Sequence, residues 1–318
     1  MAVYTALSQA DVQRFIQRFG WHDLVELKAT ESGIENTNYF VTALDAKGNT
    51  GKLVLTLFEK VPIDALPYFV ELTSFLADKG IPVPKPFRDH QQLAVHRLKS
   101  KPALLVPCFA GHHPQTPSLI QCQLIATALA KMHLASGQFL LQRENVRGPQ
   151  WRRRSIELLS PILDSENRQL LLEQTSKWTR HQAAIDALPH GITHNDLFHD
   201  NALFLENKLT GIIDFYQACN DVLIYDLAVL VNDWCSDEEG RLMGPLYDAV
   251  MGAYQQHRPF TPAERAMWPD TLAYAALRFW ISRLLSWHDA ESHRKVAQKD
   301  PDIMRRILLW RLNHPAPL

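Results

Sequence analysis

The chain has no surplus of charge of one sign: 33 Lys and Arg stand against 34 Asp and Glu, a formal net of -1. That balance removes the global electrostatic case for nucleic acid or an anionic membrane. The short run Arg152-Arg153-Arg154 does not restore it, and a solvated helix face accounts for those side chains. Cysteine is scarce as well. Cys108, Cys122, Cys219 and Cys235 form neither a CxxC pair nor the spacing of a structural zinc site. No apolar run is long enough to span a bilayer, and no basic-then-apolar leader opens the chain, so a cytoplasmic location is expected. Internal repeats and low-complexity tails are missing too. What is present is 318 residues of ordinary globular composition, 46% hydrophobic and 21% charged, enough for one large domain or two modest ones.

The informative stretch runs from His194 to Phe215. Two short apolar runs, Ala202 to Leu205 and Leu209 to Ile213, flank Asn207-Lys208 and read as a hairpin. His194, Asp196, Asn201 and Asp214 then lie at its open end, where they can converge. Their types suit phosphoryl transfer from ATP. Magnesium on the phosphates wants oxygen ligands in tight octahedral geometry, and the Asn201 amide oxygen and the Asp214 carboxylate supply two. Asp196 is placed to orient an acceptor hydroxyl and take its proton. His194 is read as a brace for this loop.

The pattern H-x-D-x-x-x-x-N, a hairpin and then I-D-F resembles the catalytic core of the aminoglycoside phosphotransferase and choline kinase superfamily, a distant relative of the protein kinases. The resemblance implies Asp196 as catalytic aspartate and Asn201 and Asp214 as magnesium ligands. Tyr225-Asp226-Leu227-Ala228 also resembles a motif that follows I-D-F in that superfamily. The implied fold is α+β and protein-kinase-like, with a mainly antiparallel β lobe over residues 1–108 and a larger helical lobe over 109–318. ATP is expected between the lobes.

Within the first lobe, Ser8 with Asp11 reads as a capping box, followed by Val12, Phe15, Ile16 and Phe19 at helical spacing. Strands are expected around Val25-Leu27, Tyr39-Val41 and Leu53-Phe58. The segment between the first two occupies the place where the superfamily covers the nucleotide phosphates. It holds one glycine and no G-x-G-x-x-G loop. Ser32, Thr37 and Asn38 are candidates for phosphate contact there, and turn chemistry explains them equally. On the third strand Thr56 stands where many superfamily members carry a phosphate-binding lysine, and a neutral hydroxyl does not replace that charge. The segment V-L-T-L-F-E, an E-L-T-x-F-L helix and G-I-P-V-P are similar to the bacterial homoserine kinases of this superfamily, not to the unrelated GHMP type. That likeness includes the threonine. It implies L-homoserine as acceptor and its phosphate ester, a precursor of threonine, as product.

Glu71, on the helix over Leu66 to Leu76, is expected either to orient magnesium-bound water or to face solvent. A strand is expected at Leu93-Arg97 and another at Ala103-Pro107, leading into Cys108 and Phe109 at the hinge, where adenine is expected. In the helical lobe Thr116-Pro117 is read as a helix start. Ala128 to His133 resembles the superfamily's L-A-x-x-H helix, with His133 structural. Helix is also expected after Trp151 and from Leu170 to Leu188. A helix over Asp221-Cys235 carries Asp226 and Asp233 on about one face, since two turns take about 7.2 residues. Asp226 is read as an anchor of the catalytic loop, Asp233 as partner for the acceptor's ammonium. Ser236 to Glu239 and Thr261 to Glu264 both fit capping boxes. Arg278 or Arg283 on the last large helix is the expected carboxylate clamp. Trp234, Trp280 and Trp287 are read as packing residues. The same chemistry on choline, methylthioribose or an aminoglycoside is the nearest competing reading, and a nucleotide-binding protein without useful turnover is the next.

Overall fold

The computed structural model describes residues 5–30, 36–289 and 299–318. It shows a bilobal α+β fold of the kinase type, with a mainly antiparallel β lobe and a larger helical one. The chain divides into two compact units: Met1–Gly111 with Thr210–Ile213, and His112–Leu209 with Asp214–Leu318.

In the first unit, α1 (Gln9–Gln17) starts at Ser8, whose hydroxyl accepts from the Asp11 backbone while the Asp11 carboxylate reaches back. Val12, Phe15 and Ile16 turn inward from it. Strands β1 (Trp21–Ala29), β2 (Asn36–Asp45), β3 (Thr50–Phe58), β4 (His96–Leu98) and β5 (Lys101–Pro107) form one antiparallel sheet in the order β1-β2-β3-β5-β4. Strand alternation sorts their side chains. Tyr39, Val41, Ala43, Leu53, Leu55, Leu57, Ala103 and Leu105 join the α1 residues in one core. Asn38 and Thr56, directly opposite each other in register, belong to the other face. Helix α2 (Leu66–Asp78) buries Leu66, Phe69, Val70, Leu72 and Leu76. The strand expected at Leu93-Arg97 is shorter and later than its sequence suggests. The Asp89 carboxylate accepts from the Gln91 and Leu93 backbones, and Gln92 takes a left-handed conformation, so a turn occupies that place.

The second unit is built from helices α3 (Leu119–Ser136), α4 (Pro149–Leu159), α5 (Ser165–Arg180), α6 (Gln182–Asp186), α7 (Leu223–Trp234), α8 (Gly244–His257), α9 (Pro262–His288) and α10 (Pro301–Asn313). Short strands β6 (His190–Thr193) and β9 (Cys219–Val222) pair with each other, and β7 (Ala202–Leu205) with β8 (Lys208–Ile212) makes the expected hairpin. The β6–β9 pair has no alternating pattern to announce it, and it shortens the expected α7 at its start. Thr116-Pro117 is not the start of α3. Ser118 caps it instead, in a capping box with Gln121. The helix expected from Leu170 to Leu188 begins earlier, at the Asp164 cap, and breaks at His181 into α5 and α6. Ser236 to Glu239 starts no helix, because the Asp237 carboxylate gathers the Glu239 and Arg241 amides into a turn. The second expected box holds: Thr261 and Glu264 cap α9, with Pro262 at its first position. Trp234 and Trp280 are buried, whereas Trp287 is 43% exposed.

Helix α10 closes this unit. Arg311, buried, donates to the Asn232 side-chain oxygen at 3.0 Å, to the Ser236 hydroxyl at 2.7 Å and to the Gly240 carbonyl at 3.3 Å. Gly240 has positive φ, and a Cβ there would meet the Arg306 carbonyl carbon at 2.6 Å, so no other residue fits. Among the described residues no helix is long and apolar enough to cross a membrane.

Candidate active site

The loop between β6 and β7 is held from below. Asp226, buried on α7, accepts the backbone N–H of His194 at 2.7 Å on one carboxylate oxygen and that of Asn195 at 2.8 Å on the other. His133 on α3 adds a third contact, Nε2 to Asp226 Oδ2 at 3.1 Å, and its Nδ1 meets the Tyr254 hydroxyl at 2.7 Å. Burial holds the His133 pKa below the ordinary imidazole value, against the pull of Asp226. A neutral ring donating to Asp226 and accepting from Tyr254 satisfies every atom. Arg258 completes the cluster, donating to Tyr254 and pairing with Glu264 at 2.7 Å. His133 therefore reaches the His194–Asn195 backbone through Asp226. Tyr254, on α8, and Arg258, at its C-terminal cap, carried no signal in the sequence.

On the loop, Asn195 adopts a left-handed conformation, φ 64°, and its side chain donates to Cys219 Sγ at 2.7 Å. Burial pushes that thiol up to about 12, so it stays protonated. The Asp196 backbone N–H points at His194 Nδ1 at 3.3 Å. The imidazole thus accepts from the loop it shapes. Asp196 itself is partly buried, and desolvation raises its carboxyl above the usual range, opposed first by Arg278 and then by His194, Lys299 and Arg147.

Asn201 is tied to Asp196 directly: its amide nitrogen donates to the Asp196 carbonyl at 2.7 Å. That bond turns the amide oxygen the other way. Asp214 follows β8 in a left-handed conformation, φ 64° and ψ 57°, with an exposed side chain. One amide oxygen and one carboxylate match the hard-oxygen preference of magnesium. Among the described residues there is no group of three or more His, Cys, Asp or Glu placed to hold a metal ion.

The acceptor-side candidates separate. Asp233 accepts from the His199 backbone at 2.6 Å and meets its Nδ1 at 2.7 Å. Arg283 donates to the Asp300 carbonyl at 3.0 Å. Arg278 is 4% exposed, with its guanidinium 4.0 Å from the centre of the Phe279 ring.

In the first unit, Thr56 donates to the Asn38 side-chain oxygen at 2.7 Å. Thr37 is not brought to their face. Its hydroxyl is buried and donates to Glu59 at 2.8 Å, in a network with Thr5 and Lys101. Ser32 lies outside the described residues. Cys108 bonds through its N–H to the Lys52 carbonyl at 2.9 Å, and burial raises its thiol pKa. Phe109 lies so close to Gly211 that a Cβ there would come within 2.4 Å of the ring. Glu71 forms an exposed ion pair with Arg88 at 2.8 Å, which favours its solvent-facing reading.

The model of the phosphotransferase enzyme family matches residues 26–268. A homoserine kinase of Methylobacillus glycogenes is 40% identical over 310 residues, covering 97% of this chain and 95% of its own length. One from Polaromonas naphthalenivorans is 39% identical over 319 residues, 99% of both chains. This chain belongs to the homoserine kinase family within the aminoglycoside phosphotransferase-like superfamily. The fold is shared more widely. An amicoumacin kinase superposes with a TM-score of 0.71 at 15% identity, over 97% of this chain and 93% of its own. A microcompartment-associated aminopropanol kinase gives 0.65 at 16% identity, over 96% and 97%.

Proposed function

We infer that the protein is an ATP-dependent homoserine kinase, transferring the γ-phosphoryl group to the side-chain hydroxyl of L-homoserine to give O-phospho-L-homoserine and ADP. The observation that carries the substrate is the near-complete match to homoserine kinases at about two-fifths identity. The chemistry rests on the Asp196 loop. In a loose phosphoryl-transfer transition state there is little covalent work for the protein, so positioning dominates. Asp196 orients the hydroxyl and accepts its proton, and its raised pKa brings its basicity closer to neutral pH. His194 and Asp226 keep the loop in shape. Asn201 and Asp214 would hold magnesium, which supplies charge neutralisation on the phosphates. Asn38, Thr56, Cys108 and Phe109 are the candidates for nucleotide contact.

The test is an assay with magnesium-ATP and, separately, L-homoserine, choline, methylthioribose and aminoglycosides, with the phosphorylated product weighed directly. Selective conversion of homoserine is expected. Conversion of another alcohol without homoserine phosphate would keep the kinase chemistry and reject the substrate.

A further inference from the structure

Charges near the Asp196 loop are matched unevenly. Asp200 pairs with Lys299 at 2.5 Å, and Asp233 is engaged twice by His199. Arg283 has the Asp300 carbonyl, with Asp233 and Asp200 also facing it. Arg278 differs from all of these. It is almost wholly buried, and among the described residues no oxygen accepts a hydrogen bond from it and no carboxylate pairs with it. The Tyr274 hydroxyl, a turn earlier on α9, accepts from Arg152 at 2.9 Å. None of the Arg278 nitrogens is among the sealed, unpartnered polar atoms, so the guanidinium keeps access to an entering group, and an anion is the partner its charge favours.

The place of this cation links it to the reacting hydroxyl. Phe279, against which Arg278 lies, meets Phe198 with ring centres 4.5 Å apart, and Phe198 is two residues past Asp196. Arg278 is also the foremost positive group acting on Asp196. Asp196 cannot serve as its lasting partner, because that carboxylate must stay available for the acceptor's proton. A small acceptor that carries a carboxylate a few bonds from its hydroxyl fits both needs.

Resting on the homoserine kinase reading, we propose that Arg278 clamps the acceptor's carboxylate and that this carboxylate, not the ammonium, anchors the substrate, so that the enzyme also phosphorylates γ-hydroxy carboxylic acids lacking the amino group. The acids available for an ammonium, Asp200 and Asp233, already have cationic or N–H partners. With 4-hydroxybutanoate the displacement is unchanged. The hydroxyl oxygen forms the new bond to the γ-phosphorus, the bond to the β,γ-bridging oxygen breaks, ADP leaves with that electron pair, and the hydroxyl proton passes to Asp196.

The experiment compares wild-type enzyme on L-homoserine, on 4-hydroxybutanoate, which lacks only the ammonium, and on 3-aminopropan-1-ol, which lacks only the carboxylate. Products are identified by mass. Homoserine and 4-hydroxybutanoate should be converted and the amino alcohol refused. Refusal of 4-hydroxybutanoate, or conversion of 3-aminopropan-1-ol, overturns the proposal. In parallel, Arg278→Met should raise the homoserine KM by about 30-fold or more, as expected for removing one partner of a buried charge pair. The KM for ATP should stay put, and Arg278→Lys should recover part of the loss. A fall in kcat at unchanged homoserine KM would place the guanidinium on the transferring phosphoryl group and sink the clamp. Should the Met variant fail to fold, the wild-type acceptor pair decides alone. Absence of homoserine phosphate from wild type would instead overturn the underlying reading.

Discussion

The imidazole of His133 meets the carboxylate of Asp226 at 3.1 Å, and neither side chain has any exposed surface. The same carboxylate carries the backbone of His194 and Asn195, so loop geometry and buried electrostatics are one system. Replacing Asp226 by Asn swaps one acceptor oxygen for a donor and leaves a buried N–H facing it. Loss of about 1–3 kcal/mol of stability is expected for each donor left unpaired. Tyr254→Phe should cost less and lower kcat more than KM. Chemical denaturation together with steady-state kinetics checks both.

Because burial holds the His133 pKa down, the folded protein refuses a proton that the unfolded chain accepts. Its contribution to stability is full above the ordinary imidazole value of 6.5 and falls as pH drops below it, until the folded pKa is passed. The melting temperature should therefore decline on the acid side of 6.5, and His133→Asn should flatten that slope. An unchanged slope would assign the acid sensitivity elsewhere.

Asp196 has the opposite sign. Its raised carboxyl pKa means that ionisation costs folding energy, so stability falls as pH rises through the folded value while activity grows. Asp196→Asn should lower turnover by roughly 10²–10⁴-fold and leave the protein at least as stable at neutral pH. In wild type, kcat/KM should lose its activity on the acid side at a pH above the ordinary carboxylate range. Turnover of the Asn variant equal to wild type would remove Asp196 from the reaction.

Asp214→Asn keeps a residue that tolerates the left-handed backbone while deleting the charge. The magnesium concentration for half-maximal activity should rise, or activity should vanish. A titration identical to wild type would take Asp214 out of the metal shell.

Glu71 supplies the contrast. Its exposed pair with Arg88 predicts that Glu71→Gln changes kcat/KM by less than about twofold and stability by under about 1 kcal/mol. A large kinetic loss would return it to the site.

Features that depend on near neighbours were legible in the sequence. The Asp196–Asn201 spacing, the β7–β8 hairpin and the caps at Ser8 and Thr261 each express a local rule. What stayed hidden depends on long-range pairing. Tyr254 reaches His133 across 121 positions, and no periodicity marks that hydroxyl as different from other helix residues. Strand register decided which of Thr37 and Asn38 shares a face with Thr56, and one residue of uncertainty reverses the answer. Asp233 was placed on the right helix, but nothing near it in sequence announces its bonds to His199. Ser236 to Glu239 satisfied a capping pattern and a turn pattern alike, and the turn at Asp237 prevailed.

The bonds of Arg311 bear on the order in which the protein folds. Domains fold as units while synthesis proceeds from the N-terminus. Asn232 lies on the same helix as Asp226, and its side-chain oxygen waits for a guanidinium 79 positions further along the chain. Nascent chains that already hold the His194 to Phe215 stretch and α7 would therefore be left with a polar gap in α7. Closure of that gap should follow synthesis of α10, and polypeptides truncated before α10 should accumulate as chaperone clients instead of working enzyme.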